Sequence, residues 1–163
     1  MELRKHPSLK SFFMGLYVLF FAIYIIVGLQ SAEATQNYEI SDILNIPSIN
    51  LSTDVADLKL ENHKLETPND IVGKFQRAKN KTLLIGHSST VFKNLDELQI
   101  GEEVIFNNTK YYVHNSEIVE KAAIDMNELL AAAEKDTLVI MTCAGTEFDN
   151  GDATHRLIIT ASI

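Results

Sequence analysis

Cys143 is the only cysteine of the chain. It follows LVIMT at residues 138–142, a branched apolar run that reads as a strand ending at the thiol. A lone cysteine has three uses: an intermolecular link, a small buried hydrophobe, or a reactive thiol. Reaction needs the thiolate. An ordinary thiol pKa of about 8.5 keeps that form scarce at neutral pH, so a base or a cation must stand nearby. Five histidines are available. His6 lies in a basic N-terminal stretch, separated from Cys143 by a long apolar run. His63 falls in polar, loop-like sequence, and His114 in a strand that turns it to solvent. His155 precedes Arg156, so in an extended chain their side chains take opposite faces. His87 follows Gly86 where the apolar LLI stops, and it is the candidate base; a surface histidine with no chemical task is the alternative. Arg156, which opens the run LIITAS, is the candidate cation, with a surface ion pair to Asp152 or Glu147 as its alternative.

Strands must bring these three together. Period-2 and branched-apolar patterns predict strands at 82–85, 103–106, 110–114, 117–119, 137–142 and 157–162. Asn107-Asn108 joins two of them as a hairpin turn. A β pattern through Ile46, Ile49 and Leu51 is interrupted by Pro47, which places the proline at an edge or bulge. Residues 71–75 read as a helical turn. The Ala- and Leu-rich stretch 125–135 reads as the one clear helix, with Asp125 near its N-terminus. Many short strands with one late helix give a mixed, mostly antiparallel β-barrel or sandwich. If the last two strands pair antiparallel, Cys143 and Arg156 meet at one end and residues 144–154 form a rim; strands lying next but one in a curled sheet do the same.

The chain has 163 residues and a formal net charge of −8. That charge argues against nucleic acid as a partner, since phosphate binding needs a Lys/Arg surplus. Residues 12–29 carry no charge, enough at about 1.5 Å per residue to cross most of a bilayer's roughly 30 Å core. Arg4, Lys5 and Lys10 precede them. The positive-inside rule then makes 1–11 a short cytoplasmic tail, 12–29 a transmembrane anchor, 30–45 a stalk and 46–163 an exported domain. SAEA at residues 31–34 offers a competing reading, a cleaved signal peptide. In either case the domain lies outside the cytoplasm, where cysteines normally pair and an unpaired one needs a reason.

These residues resemble the sortases, cysteine transpeptidases of bacterial cell surfaces. The family's Thr-Leu-x-Thr-Cys motif stands here as Val139-Ile140-Met141-Thr142-Cys143, with Thr-Cys kept and the first two positions replaced by branched apolar residues. Its strand-end Gly-His matches Gly86-His87, and its arginine opening the next strand matches Arg156 in HRLIITA. AAIDMNELL, with Asp125, is similar to the segment ahead of the family's cysteine strand, and IPSINLSTDV to an early strand with Ile-Pro. The resemblance spans residues 46–163. It implies an eight-stranded β-barrel with few short helices behind one N-terminal transmembrane helix, anchored as a single pass with the catalytic domain outside.

The activity implied is cleavage of a C-terminal Leu-Pro-x-Thr-Gly-like sorting signal on secreted proteins, through a thioester on Cys143. The acyl group then passes to an amine of the cell wall or a pilin lysine. His87 would be the acid and base, and Arg156 the oxyanion and carbonyl ligand. Thr142 would hold substrate backbone by its hydroxyl or simply fill a strand position, and Ala144 would offer its N–H to the oxyanion. No cofactor is expected. Glu102-Glu103 is similar to the calcium-binding loops of some members, but reads first as solvated turn charges. Two rivals remain: a Cys-His peptidase that uses water, and a non-catalytic exported β-domain for surface assembly.

Overall fold

The computed structural model describes residues 38–61, 64–149 and 152–163. The tail at 1–11, the anchor or signal peptide at 12–29 and His63 lie outside the described residues. Among those described, no helix is long and apolar enough to cross a membrane. The strands are β1 (Ile40–Ile46), β2 (Leu51–Asp57), β3 (Leu60–Glu61), β4 (Lys64–Leu65), β5 (Val72–Ala78), β6 (Lys81–Ile85), β7 (Glu103–Phe106), β8 (Thr109–Glu120), β9 (Thr137–Glu147) and β10 (Ala153–Ser162). Eight of them close a barrel in the order β1-β2-β5-β6-β9-β10-β8-β7, while β3 and β4 form a separate hairpin. The β2–β5 and β6–β9 contacts are parallel. The other barrel contacts are antiparallel. The eight-stranded, mostly antiparallel barrel is therefore as expected, and the sandwich is not formed.

Side-chain alternation divides the strands between two apolar layers. Leu84, Leu138, Ile140, Leu157, Ile159 and Ala161 face the interior with Leu44, Ile46, Val72 and Phe92. Leu83, Val139, Met141 and Ile158, one position out of phase, face outward. Leu65, Phe75, Ile85, Ile124, Leu129 and Leu130 cover them as a second cluster. Cys143 continues the outward phase of Val139 and Met141, so the strand that builds the core also presents the thiol.

Turn chemistry follows residue type. Asn107 and Asn108 have φ of 49° and 64°, the left-handed pair that a two-residue hairpin between β7 and β8 requires. Pro47 opens a one-turn 3-10 helix, Pro47–Ile49, that joins β1 to β2. The expected strands at 110–114 and 117–119 are one continuous strand, β8.

Three expectations are corrected. Residues 40–45, assigned to the stalk, belong to β1; Leu44 and Ile46 are fully buried, and the polar Ser41 and Asp42 hydrogen-bond Lys74 of β5. Residues 71–75 are not a helical turn but enter β5, in which Gly73 makes room for the Leu58 side chain 2.6 Å from where a Cβ would sit. The helix expected over 125–135 is only α1, Met126–Leu129. Asp125 does cap it, accepting the Asn127 N–H at 2.8 Å. Beyond Leu130 the chain is held instead by Asn80 of the β5–β6 turn, whose side chain bonds both the N–H and the carbonyl of Ala133. These tertiary bonds override a helix propensity worth only tenths of a kcal/mol per residue.

Candidate active site

Cys143 and Arg156 are direct partners across the antiparallel β9–β10 pair. The parallel β6–β9 register ends at Ile85 opposite Met141, and the Gly86 N–H extends it to the Met141 carbonyl at 3.3 Å. One residue on, His87 stands at the level of Cys143. Three neighbouring strands thus deliver the three candidates to one end of the barrel.

Local bonds fix His87 from both sides. The buried Thr142 hydroxyl, with its residue 4% exposed, donates to the Gly86 carbonyl at 2.8 Å. The His87 carbonyl accepts from Phe92 N–H at 3.0 Å and Thr90 N–H at 3.3 Å, turning the chain out of the strand. Glycine is required at 86 because a Cβ would lie 2.6 Å from the side chains of Phe92 and Val91. Thr142 is therefore placed as a tie between the Cys143 strand and the His87 turn. Ala144 lies opposite His155, and its side chain packs against the interior cluster. Gly145 follows with φ +80°, against Thr154 and His155.

Arg156 is held by three acceptors. Nη1 donates to the carbonyls of Ala153 at 3.0 Å and His155 at 2.8 Å, and Nη2 to Asp152 Oδ1 at 2.5 Å. The ion pair offered as an alternative for Arg156 is thus present, with Asp152, alongside the pairing with Cys143. Asp152 also takes the Lys121 ammonium and the Ala153 N–H. These contacts, Lys121 foremost and then Arg156, hold its carboxyl well below the usual carboxylate range. Nε–H and the second Nη2 hydrogen of Arg156 have no acceptor among the described residues.

A groove of about 830 Å³ runs over this end of the barrel wall. His87, Cys143, Asp152 and Arg156 line one part of it, and Leu60, Leu65, Phe75, Ile85, Met126, Leu130 and Met141 line most of the rest, with Thr67, Arg77 and Asn127 among them. Its floor is the outward apolar cluster, and the β3–β4 hairpin and α1 supply the sides. His114 is exposed on β8, and His155 bonds the Thr154 hydroxyl at 2.8 Å; neither lines the groove. Residue-by-residue reading of the sequence missed the Lys121 bond, which joins the turn after β8 to the residue ahead of β10, and the Leu60/Leu65 wall, whose two-residue strands are too short to carry periodicity. Among the described residues no three His, Cys, Asp or Glu come together as a metal site. Glu102 accepts the Gln99 N–H and Glu103 pairs with Lys110, so both act as turn and surface charges.

Comparison with solved structures returns sortases. Sortase A from Corynebacterium diphtheriae superposes with a TM-score of 0.59 at 19% identity, over 78% of this chain and 62% of that one. Sortase C-1 from Actinomyces oris gives 0.56 at 20% identity, over 76% and 73%. A Clostridium perfringens sortase D5 transpeptidase gives 0.56 at 22% identity, over 76% and 78%. At these identities the likeness is one of fold. This chain spans less than two thirds of the length of the C. diphtheriae protein. No curated protein matches. A family model for the Sortase domain matches residues 44–163, from within β1 through the end of β10, and so takes in His87, Cys143 and Arg156. The chain belongs to the sortase family.

Proposed function

We propose that this chain is a membrane-anchored cysteine transpeptidase, working outside the cytoplasm on secreted proteins that end in a Leu-Pro-x-Thr-Gly-like sorting signal. The observation that carries the reading is the register pairing of Cys143 with Arg156, on a groove that His87 also lines. The Cys143 thiolate attacks the Thr carbonyl carbon, forming a C–S bond. The carbonyl electrons move to oxygen, where the free Arg156 N–H groups meet the developing charge. The tetrahedral species collapses with cleavage of the C–N bond, and His87 gives its proton to the departing Gly amine. An amine of a cell-wall peptide or a pilin then attacks the thioester and loses a proton to His87, and Cys143 leaves as thiolate. One peptide bond replaces another, so no energy source or cofactor is needed.

One assignment shifts with the geometry and one stays. Thr142 serves by holding the His87 turn against the Cys143 strand, because its hydroxyl is already donated to Gly86. The backbone N–H of Ala144 remains a proposed second oxyanion donor. The residues at 12–29 supply the anchor. Incubation of the full chain with such peptides and triglycine tests the reaction. Peptide–triglycine ligation supports the transpeptidase. Hydrolysis alone across a panel of amines makes the protein a Cys-His peptidase, and no turnover with any peptide returns it to a binding or assembly role.

A further inference from the structure

The groove holds a second arginine that the chemistry above does not use. The described residues contain two arginines, Arg77 and Arg156, and both line this groove. Their surroundings differ. Arg156 is neutralised by Asp152. Arg77 makes no ion pair with a described residue; Nη1 donates to the neutral Asn127 Oδ1 of α1 at 3.0 Å. The nearby Asp125 carboxylate is engaged by the Asn127 N–H as the cap of α1.

The backbone singles out the same position. In the β5–β6 pair, Gln76 lies opposite Thr82 and Ala78 opposite Lys81, so Arg77 is the extra, unpaired residue of a β-bulge. A bulge re-aims its side chain and interrupts the ladder where a site needs it. Here the bulged residue extends the groove-facing phase of Phe75, two residues before it. An oriented guanidinium without a carboxylate of its own, on the wall of a mostly apolar groove, is a receptor for an anionic side chain.

Its place along the groove gives the position read. Lys81, beside the bulge, is level with Thr137, which lies six residues before Cys143 on β9. At about 3.3 Å per residue the separation is on the order of 20 Å, or roughly five to six residues of extended peptide. The acyl half of the substrate must stay bound after the amine half departs, so the groove leading away from Cys143 is the seat of the acyl half. On the transpeptidase reading above, with Thr at the scissile bond, we infer that Arg77 selects an acidic residue one or two positions ahead of the Leu-Pro-x-Thr segment.

The test uses the full chain and a peptide series carrying Glu, Gln or Lys at each of those two positions. The rate of Cys143 acylation is read for each peptide by intact mass. Glu is expected to exceed Lys by about two- to fivefold at one of the two positions, the size of an exposed ion pair, and the ratio should shrink in high salt. Arg77→Glu should reverse the order, and Arg77→Gln should bring the ratio to near one. Acylation that is indifferent to charge at both positions overturns this inference and leaves the transpeptidase standing. A preference that survives Arg77→Gln overturns it as well. Absence of acylation with every peptide removes the transpeptidase reading and this inference with it.

Discussion

Replacing Thr142 with Val separates two roles that one residue type can fill. The Thr142 side chain sits at the joint of β6 and β9, and its hydroxyl is the donor to Gly86 O at 2.8 Å in a buried setting. Thr142→Val keeps the branched shape and removes the donor, leaving the Gly86 carbonyl without that bond. An unsatisfied buried acceptor costs about 1–3 kcal/mol, which for a unit of this size lowers Tm by roughly 4–12 °C. The same bond fixes the residue before His87. Loosening it displaces the imidazole relative to Cys143, and a misplacement near 1 Å costs up to about 10²-fold in rate. Thr142→Val is therefore expected to lower kcat by about tenfold, within that limit, with KM little changed. Thr142→Ser retains the donor, so its kcat should stay near that of the unaltered protein. The assay is calorimetric unfolding beside steady-state peptide cleavage for both variants. An unchanged Tm with a raised KM in Thr142→Val would refute the reasoning, because it would make the hydroxyl a substrate ligand.

Other consequences follow from the same geometry. Gly86→Ala forces a Cβ to within 2.6 Å of the Phe92 and Val91 side chains, and should cost about 1–3 kcal/mol by overpacking, read as a lower urea midpoint. Arg156→Ala should lower acylation by about 10²–10³-fold, the loss of an oxyanion donor. Arg156→Lys should not restore it, because an ammonium cannot keep two carbonyls, Asp152 and a substrate oxygen together. Asp152→Asn tests the clamp by pH. The Asp152 carboxyl is depressed in the folded state while the unfolded one titrates near the usual value of about 3.9. Its contribution is therefore complete above that value and is lost as pH falls below it. The urea midpoint of the Asn variant should trail that of the parent by a constant amount from neutral pH to about pH 5. The gap should narrow progressively as pH falls from about 4 toward the depressed folded-state value.

The end of the barrel that carries Cys143 was more legible in the sequence than its flank. Residues 137–142 and 157–162 are short apolar runs whose length and branched residue types favour strands. Their short connection brings Cys143 and Arg156 to one end, and the β9–β10 register pairs the two. The Asn107-Asn108 turn was equally plain, since left-handed backbone favours that residue type. Segments governed by distant partners were not plain. Residues 130–135 have a helical composition, yet Asn80, more than fifty residues upstream in sequence, holds Ala133 out of a helix. Residues 40–45 look like a stalk because Ser41 and Asp42 are polar, and only Lys74 of β5 explains them. The ion pair of Arg156 with Asp152 was weighed as an alternative to catalysis. In the fold that ion pair is formed, and together with the two carbonyl acceptors it leaves Nε–H without an acceptor among the described residues.

The central claim is that Cys143 is the nucleophile of this groove. Intact-mass measurement of the full chain after brief exposure to Leu-Pro-x-Thr-Gly-type peptides tests it most directly. An added mass equal to the acyl half, mapped to Cys143 and absent in Cys143→Ala and Arg156→Ala, is the predicted result. No adduct with any peptide, together with a thiol that iodoacetamide reaches only after unfolding, would contradict the account and return Cys143 to the role of a structural strand residue.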